Sequence, residues 1–185
     1  KIMLKEKGML IDLGAIAKGY AGDEVKRFLA ENGVKHALIN LGGNLVTLGS
    51  KLDNEAWKLG VQNPLDSRGE YLGTIEVSDK AIVTSGIYER YIEKDGKRYH
   101  HILSPENGYP IDNSLVSVSI VADKSIDADA LSTTAFALGL ENGLKLIESL
   151  KNVDAIFVTK DSDVYVTSGL KDNFKITNNK FKLKN

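Results

Sequence analysis

Alternation of apolar and polar residues is the commonest pattern along this chain. It is cleanest over Leu115 to Ala122, where Val116, Val118 and Ile120 fall on one side and Ser117 and Ser119 on the other, predicting a strand. The same period predicts strands over Ala37–Leu41, Leu45–Leu48, Trp57–Val61 and Leu72–Val77, with Gly42-Gly43-Asn44 and Asn63-Pro64 as the intervening turn and loop. Shorter strands are expected at Ala81–Thr84, Tyr88–Glu93 and Tyr99–Leu103, the last two joined by an Asp95-Gly96 hairpin. The tail alternates again at Ala155–Thr159, Val164–Thr167 and Phe174–Thr177. Near the start, Met9–Leu13 is short and apolar before Gly14 and reads as a buried strand end.

Three segments break this period. From Ala15 to Asn32, Ala17, Ala21, Val25, Phe28 and Leu29 recur three and four apart, predicting a helix that Gly33 stops. Asp127–Leu138 and Asn142–Leu150 read as two further helices. Strands in meander-like runs with helices inserted at three places predict an α+β domain with mostly antiparallel sheets, spanning 1–185 as one unit.

Composition narrows the classes. With 42% hydrophobic and 26% charged residues, the chain can bury a core. A net charge of -1 argues against a nucleic-acid surface, which needs a basic excess. The absence of cysteine excludes disulfides and thiolate metal sites. That fits a reducing cytoplasm and equally an exported protein that manages without disulfides. The first residue is Lys1, with neither a leader nor a membrane-spanning run, so a processed or truncated N-terminus is expected.

Five segments carry candidate chemistry. In Asp12-Leu-Gly-Ala-Ile-Ala-Lys-Gly19 a carboxylate, a glycine turn and a lysine open a helix, whose free N–H groups attract anions. The same residues also suit an ordinary strand–turn–helix junction, and their spacing matches neither the P-loop nor the dinucleotide fingerprint. Gly42-Gly43 allows either close backbone approach to a ligand or a plain hairpin turn. Thr84, Ser85 and Gly86, with Arg90 nearby, can meet phosphate or ribose. His100 and His101 sit at a strand end and face opposite ways if the strand is regular. A histidine there suits either proton transfer or a half-buried structural role. Finally, Asp129 and Thr133 lie one helical turn apart and can offer oxygens to a hard cation, while Asp127 or Asp129 can equally cap the helix start.

Taken in order, these segments resemble the ApbE family of flavin transferases. The matching stretches are Asp12–Ala21, Leu41–Asn44, Trp57–Pro64, Thr84–Gly86, Tyr88–Arg90, the His101 loop to Pro110, Leu115–Val118 and Asp129–Thr133 running into Ala135–Gly139. The resemblance implies a T-fold-like architecture and an enzyme that splits FAD. It would attach FMN to a Thr or Ser hydroxyl of an acceptor protein and release AMP. Carried over by motif, Mg²⁺ is held by the Ala15 carbonyl, Asp129 and Thr133. Asp12 and Lys18 meet the flavin cofactor, with Gly42, Gly43, Thr84, Ser85, Gly86 and Arg90 as further candidates, and His101 stands at the family's histidine. Ser104-Pro105 departs from the family's Asp-Pro and loses a negative charge there. The resemblance also implies that an N-terminal part of the family fold is missing. It points to an exported or cell-envelope location, with the cytoplasm left open. FAD hydrolysis to FMN and AMP, or flavin binding without turnover, are the alternatives.

Overall fold

The computed structural model describes residues 2–67 and 69–184. In chain order the elements are α1 (Ala17–Glu31), β1 (Ala37–Leu41), β2 (Asn44–Leu48), β3 (Trp57–Gln62), β4 (Tyr71–Val77), β5 (Ala81–Gly86), β6 (Tyr91–Lys94) and β7 (Lys97–His100). They continue with β8 (Leu115–Ala122), α2 (Ser125–Glu148), β9 (Val153–Thr159), β10 (Asp163–Val166), β11 (Phe174–Ile176) and β12 (Lys182–Lys184). A 3₁₀ turn, Ser168–Leu170, precedes β11.

A seven-stranded sheet in the order β1-β2-β5-β8-β9-β10-β12 forms the middle layer, antiparallel except where β12 joins β10 in parallel. A three-stranded antiparallel sheet, β11-β4-β3, covers one face. Leu72 and Ile75 meet Ile156 and Val158 between the two sheets. The helices cover the other face, where Phe136 and Ala135 pack on Val118, Ile120 and Phe157. This is the α+β, mostly antiparallel domain that the pattern predicts. The β6–β7 hairpin stands apart as a two-stranded ribbon turning at Asp95-Gly96.

Several expectations are corrected. Met9–Leu13 forms no strand: Leu10 is 92% exposed, and the segment pairs with no strand among the described residues. Apolar composition alone cannot hold a strand without a neighbour for its N–H and C=O groups. The Tyr88–Glu93 strand is cut to Tyr91–Lys94 because residues 87–90 turn, and β7 stops at His100. In β8 the chain bulges between Leu115 and Ser117. An extra residue flips side chains to the other face, so Val116 packs between the sheets while Val118 and Ile120 face α2. Ser117 and Ser119 are buried as well.

The two C-terminal helices are the arms of α2, interrupted at Gly139, whose φ of 77° and ψ of 178° lie outside the helical region. Only glycine takes such a conformation cheaply. α1 runs over Ala17–Glu31, two residues later at its start than the expected Ala15 and short of the Gly33 stop, and its apolar stripe is not its buried face: Phe28 is 61% exposed. The buried positions are Gly19 and Gly22. A Cβ at Gly19 would meet the Ser125 carbonyl oxygen, Ile126 Cα at 2.7 Å and Asp129 Cβ at 2.8 Å. Two helices can approach this closely only where no side chain intervenes, so the glycines set how α1 lies on α2.

Candidate functional site

The close crossing of α1 and α2 builds the first part of the site. Before α1, the N–H groups of Ile16 and Ala17 both bond to the Leu13 carbonyl, and Asp12 Oδ1 accepts the Gly14 N–H at 2.6 Å, fixing the turn. Inside the helix, the Gly19 N–H would ordinarily close onto the Ala15 carbonyl four residues back. It donates instead to Asp129 Oδ2 at 2.7 Å. Among the described residues no backbone N–H bonds to the Ala15 carbonyl, so this oxygen is left over next to the contact with Asp129. The carboxylate of Asp129 is buried.

Neither Asp127 nor Asp129 caps α2. Asp23 of α1 does so from outside, accepting the Ser125 and Ile126 N–H groups at 2.7 and 2.9 Å. Asp129 is thereby released from the capping role. One turn further, Thr133 Oγ1 lies 3.1 Å from Ser85 Oγ, which lies 2.8 Å from Ser132 Oγ. Ser85 therefore faces α2, behind the sheet from the cleft described next. Among the described residues no three His, Cys, Asp or Glu side chains gather as a metal cluster. A cation at Asp129 would be held by one carboxylate and neutral oxygens. Such a sparse set of hard donors suits Mg²⁺, which retains water and takes substrate phosphates as its other ligands.

Lys18, adjacent to Gly19, points the other way, into a cleft of about 540 Å³. This is the size of an ordinary ligand site. Its ammonium donates to Asn44 Oδ1 at 2.8 Å. Asn44 is 1% exposed, and its Nδ2 lacks a partner. Gly42 and Gly43 connect β1 to β2 with φ of 59° and 101°, so both need to be glycine, and nothing stands within 4 Å of where their side chains would be. Thr84 also lines the cleft, its hydroxyl on Ser119 Oγ at 2.7 Å. Gly86 ends β5 and lets the Tyr88 ring fold over it, and Tyr88 lines the cleft in turn.

Beyond Gln62, Tyr88 and Glu89 a second cleft of about 720 Å³ runs to Arg98 and His100. The paired histidines face opposite ways, as expected. His100 is held inside by the Ile111 carbonyl at 3.1 Å and sits edge-on to Phe136. Its Nε2 must donate to that carbonyl, leaving Nδ1 a buried acceptor without a partner. Burial holds its pKa below the usual value. His101 is exposed, and both its backbone N–H and its Nδ1 reach the Arg90 carbonyl, at 3.2 and 3.1 Å. In the neutral ring this contact places the hydrogen on Nδ1 and makes Nε2 the acceptor.

Of the predicted residues, Lys18, Gly42, Gly43 and Thr84 share one cleft, Asp129 meets α1 at Gly19, four residues after Ala15, and Thr133 meets Ser85 one turn further along α2. Asp12 is exposed and lines neither cleft, and Arg90 contributes its carbonyl to His101. His101 lines neither cleft; its neighbour His100 lines the second. Sequence reasoning missed Asp23, Ser132 and the side chain of Asn44. A pair of glycines three apart inside a predicted helix was the available signal for the close crossing that Asp23 completes.

The chain is similar to known proteins over most of its length. The sequence pattern of the ApbE family matches residues 1–157. A Klebsiella pneumoniae protein named FAD:protein FMN transferase is 45% identical over 167 residues, covering 90% of this chain and 51% of its own length. One of the same name from Treponema pallidum is 38% identical over 190 residues, covering 98% and 52%. The chain spans about half the length of these relatives. Among solved structures, the ApbE protein from Thermotoga maritima superposes with a TM-score of 0.80 at 34% identity, covering 89% of this chain and 53% of that one. The apo flavinyl transferase ApbE from Pseudomonas stutzeri gives 0.72 at 32%, covering 88% and 51%.

Proposed function

The chain belongs to the ApbE family, and from that premise we propose that it carries the magnesium- and phosphate-binding part of an FAD:protein FMN transferase. In the proposed reaction a Thr or Ser hydroxyl of an acceptor protein attacks the phosphorus of the FMN half of FAD. The new bond is an O–P phosphoester, the pyrophosphate P–O bond breaks, and AMP leaves with the bridging oxygen. The hydroxyl proton goes to a base.

The observation that carries this reading is the bond from Gly19 to Asp129. It brings a buried carboxylate to Gly19, the residue after Lys18, which points into the cleft, and leaves the Ala15 carbonyl without its helical partner. Ala15, Asp129 and Thr133 would hold Mg²⁺, and the chemistry supplied by the ion is neutralisation of charge on the pyrophosphate and the leaving group. Lys18 adds a point charge for the phosphates, oriented by Asn44. The glycine turn gives the cofactor close approach to the backbone. His101, oriented by the contact of its Nδ1 with the Arg90 carbonyl, suits the role of general base through Nε2.

The test is incubation of the full chain with FAD, MgCl₂ and a Thr-containing acceptor. The readouts are acceptor mass and released AMP, with Asp129→Ala alongside. A magnesium-dependent mass increase equal to FMN supports the proposal. AMP without flavinylated acceptor moves the reading to FAD hydrolysis. Absence of both AMP release and magnesium-dependent FAD binding would overturn it.

A further inference from the structure

We infer that Ser85 and Ser132 are positioning residues for the cation site, because together they force Thr133 to offer lone pairs rather than its proton. The inference rests on the proposed site at Asp129 and Thr133. It follows from counting hydrogens. Each Ser or Thr hydroxyl has one hydrogen to give and can accept at the oxygen.

Ser132 Oγ lies 2.9 Å from the Asp129 backbone carbonyl, which can only accept, so Ser132 spends its hydrogen there. The 2.8 Å contact between Ser85 and Ser132 must then use the hydrogen of Ser85. The 3.1 Å contact between Ser85 and Thr133 must in turn use the hydrogen of Thr133. The relay has one direction, from Thr133 through Ser85 and Ser132 to the Asp129 carbonyl. Its consequence is that Thr133 Oγ1 can serve any other partner only as an acceptor.

A hydroxyl in solution reorients freely. A cation binding to it must turn the hydrogen away, and a hydrogen left facing the ion repels it. In this chain the orientation is fixed by the fold before any ion arrives. The relay also begins and ends on residues of the proposed site, since the carbonyl that anchors it belongs to Asp129. Ser132 is 0% exposed, so bulk water does not compete for its hydroxyl. The third participant comes from the sheet: Ser85 is on β5, paired with Val118 of β8, and is held against α2 by the sheet's own register. Outer partners that orient metal ligands in this way commonly change affinity by about tenfold to a hundredfold when removed.

Ser85→Ala deprives the Thr133 hydrogen of its acceptor. Ser132→Ala frees the Ser85 hydrogen, which can then point at Thr133 and displace the Thr133 hydrogen toward the cation position. Ser85→Thr retains the hydroxyl on a β-branched side chain suited to a strand. The experiment titrates Mn²⁺, as a spectroscopic stand-in for Mg²⁺, into the full chain and reads bound ion by electron paramagnetic resonance. Metal-free melting temperatures are recorded in parallel. The expected result is Mn²⁺ affinity about tenfold weaker or more in Ser85→Ala and in Ser132→Ala, and near the unmodified value in Ser85→Thr. Should either alanine variant melt too early to titrate, the other carries the test. Unchanged Mn²⁺ affinity in a folded alanine variant overturns the relay and leaves the site standing. No Mn²⁺ binding by the unmodified chain overturns both.

Discussion

The substitution Gly19→Ala puts the geometry of the helix crossing to the most direct test. The added methyl would press on the Ser125 carbonyl oxygen, on Ile126 Cα at 2.7 Å and on Asp129 Cβ at 2.8 Å. The first two are main-chain atoms and cannot swing aside. Overpacking of that kind costs about 1–3 kcal/mol. Moving α1 away also breaks the bond from Gly19 N–H to a buried carboxylate, which costs about 1.5–3 kcal/mol. Alanine's better helix propensity offsets about 1 kcal/mol of this. The net loss is about 1.5–5 kcal/mol, or about 3–20 °C in melting temperature for a chain of this length. Gly22→Ala is the internal control. Its methyl would meet Val46 Cγ2 at 2.9 Å and Ser125 Oγ at 3.1 Å, both side-chain atoms that can rotate. The propensity gain there nearly cancels the crowding, leaving a change within about 1 kcal/mol. Thermal and urea denaturation followed by circular dichroism, without metal, measures both. If Gly19→Ala is as stable as Gly22→Ala, the close crossing is wrong, and so is the route by which Asp129 reaches α1.

Five further outcomes are expected. Asp23→Ala uncovers the Ser125 and Ile126 N–H groups and should cost about 1–2 kcal/mol by denaturation while leaving Mg²⁺ dependence in place. Asp129→Ala should cost a similar amount and also abolish Mg²⁺-dependent turnover, so a magnesium response surviving in Asp129→Ala refutes the assignment. Lys18→Met should weaken FAD binding by about tenfold or more, measured by flavin fluorescence, through loss of a charge-assisted contact. His101→Gln should lower turnover by about 10²–10⁴-fold with the melting temperature unchanged, because the side chain is exposed. For His100, burial favours the neutral ring, so the unfolded chain takes up a proton more readily than the folded one. Stability should be flat above the ordinary value of 6.5, fall as pH drops below it, and level off once the folded ring protonates. His100→Gln should flatten that slope in pH-dependent melting.

Much of the fold could be read from local pattern because most strands obey the period that a half-buried sheet imposes. β1 and β8 begin and end where alternation predicts, and the Asp95-Gly96 turn sits where its residues demand. Reading failed where neighbours decide. No periodicity announces the bulge that turns Val116 to the other core, because the extra residue is visible only against the register of β9. The apolar stripe of α1 suggested a buried face, yet contact with α2 is made by Gly19 and Gly22, which hydropathy ignores. The site shows the same division. Lys18, Gly42, Gly43 and Asp129 were visible as residue types suited to phosphate and metal. That Ser85 would face α2 and Thr84 the cleft follows from strand alternation, but which side each chemistry occupies required the layers to be assembled.

The crossing of α1 and α2 explains how a carboxylate can be buried there and still be available. A helix start has N–H groups with no partner inside the helix, and a nearby acidic side chain normally satisfies them. Here each helix supplies the carboxylate for the other. Asp23 of α1 takes the first two N–H groups of α2, and Asp129 of α2 takes the Gly19 N–H of α1. By exchanging partners, the two helices leave one oxygen of Asp129 and the Ala15 carbonyl uncommitted among the described residues. The same exchange requires the helices to lie close enough for an N–H buried in α1 to reach across, and that proximity is what Gly19 permits. One missing side chain thus fixes the packing, the capping and the donor set together.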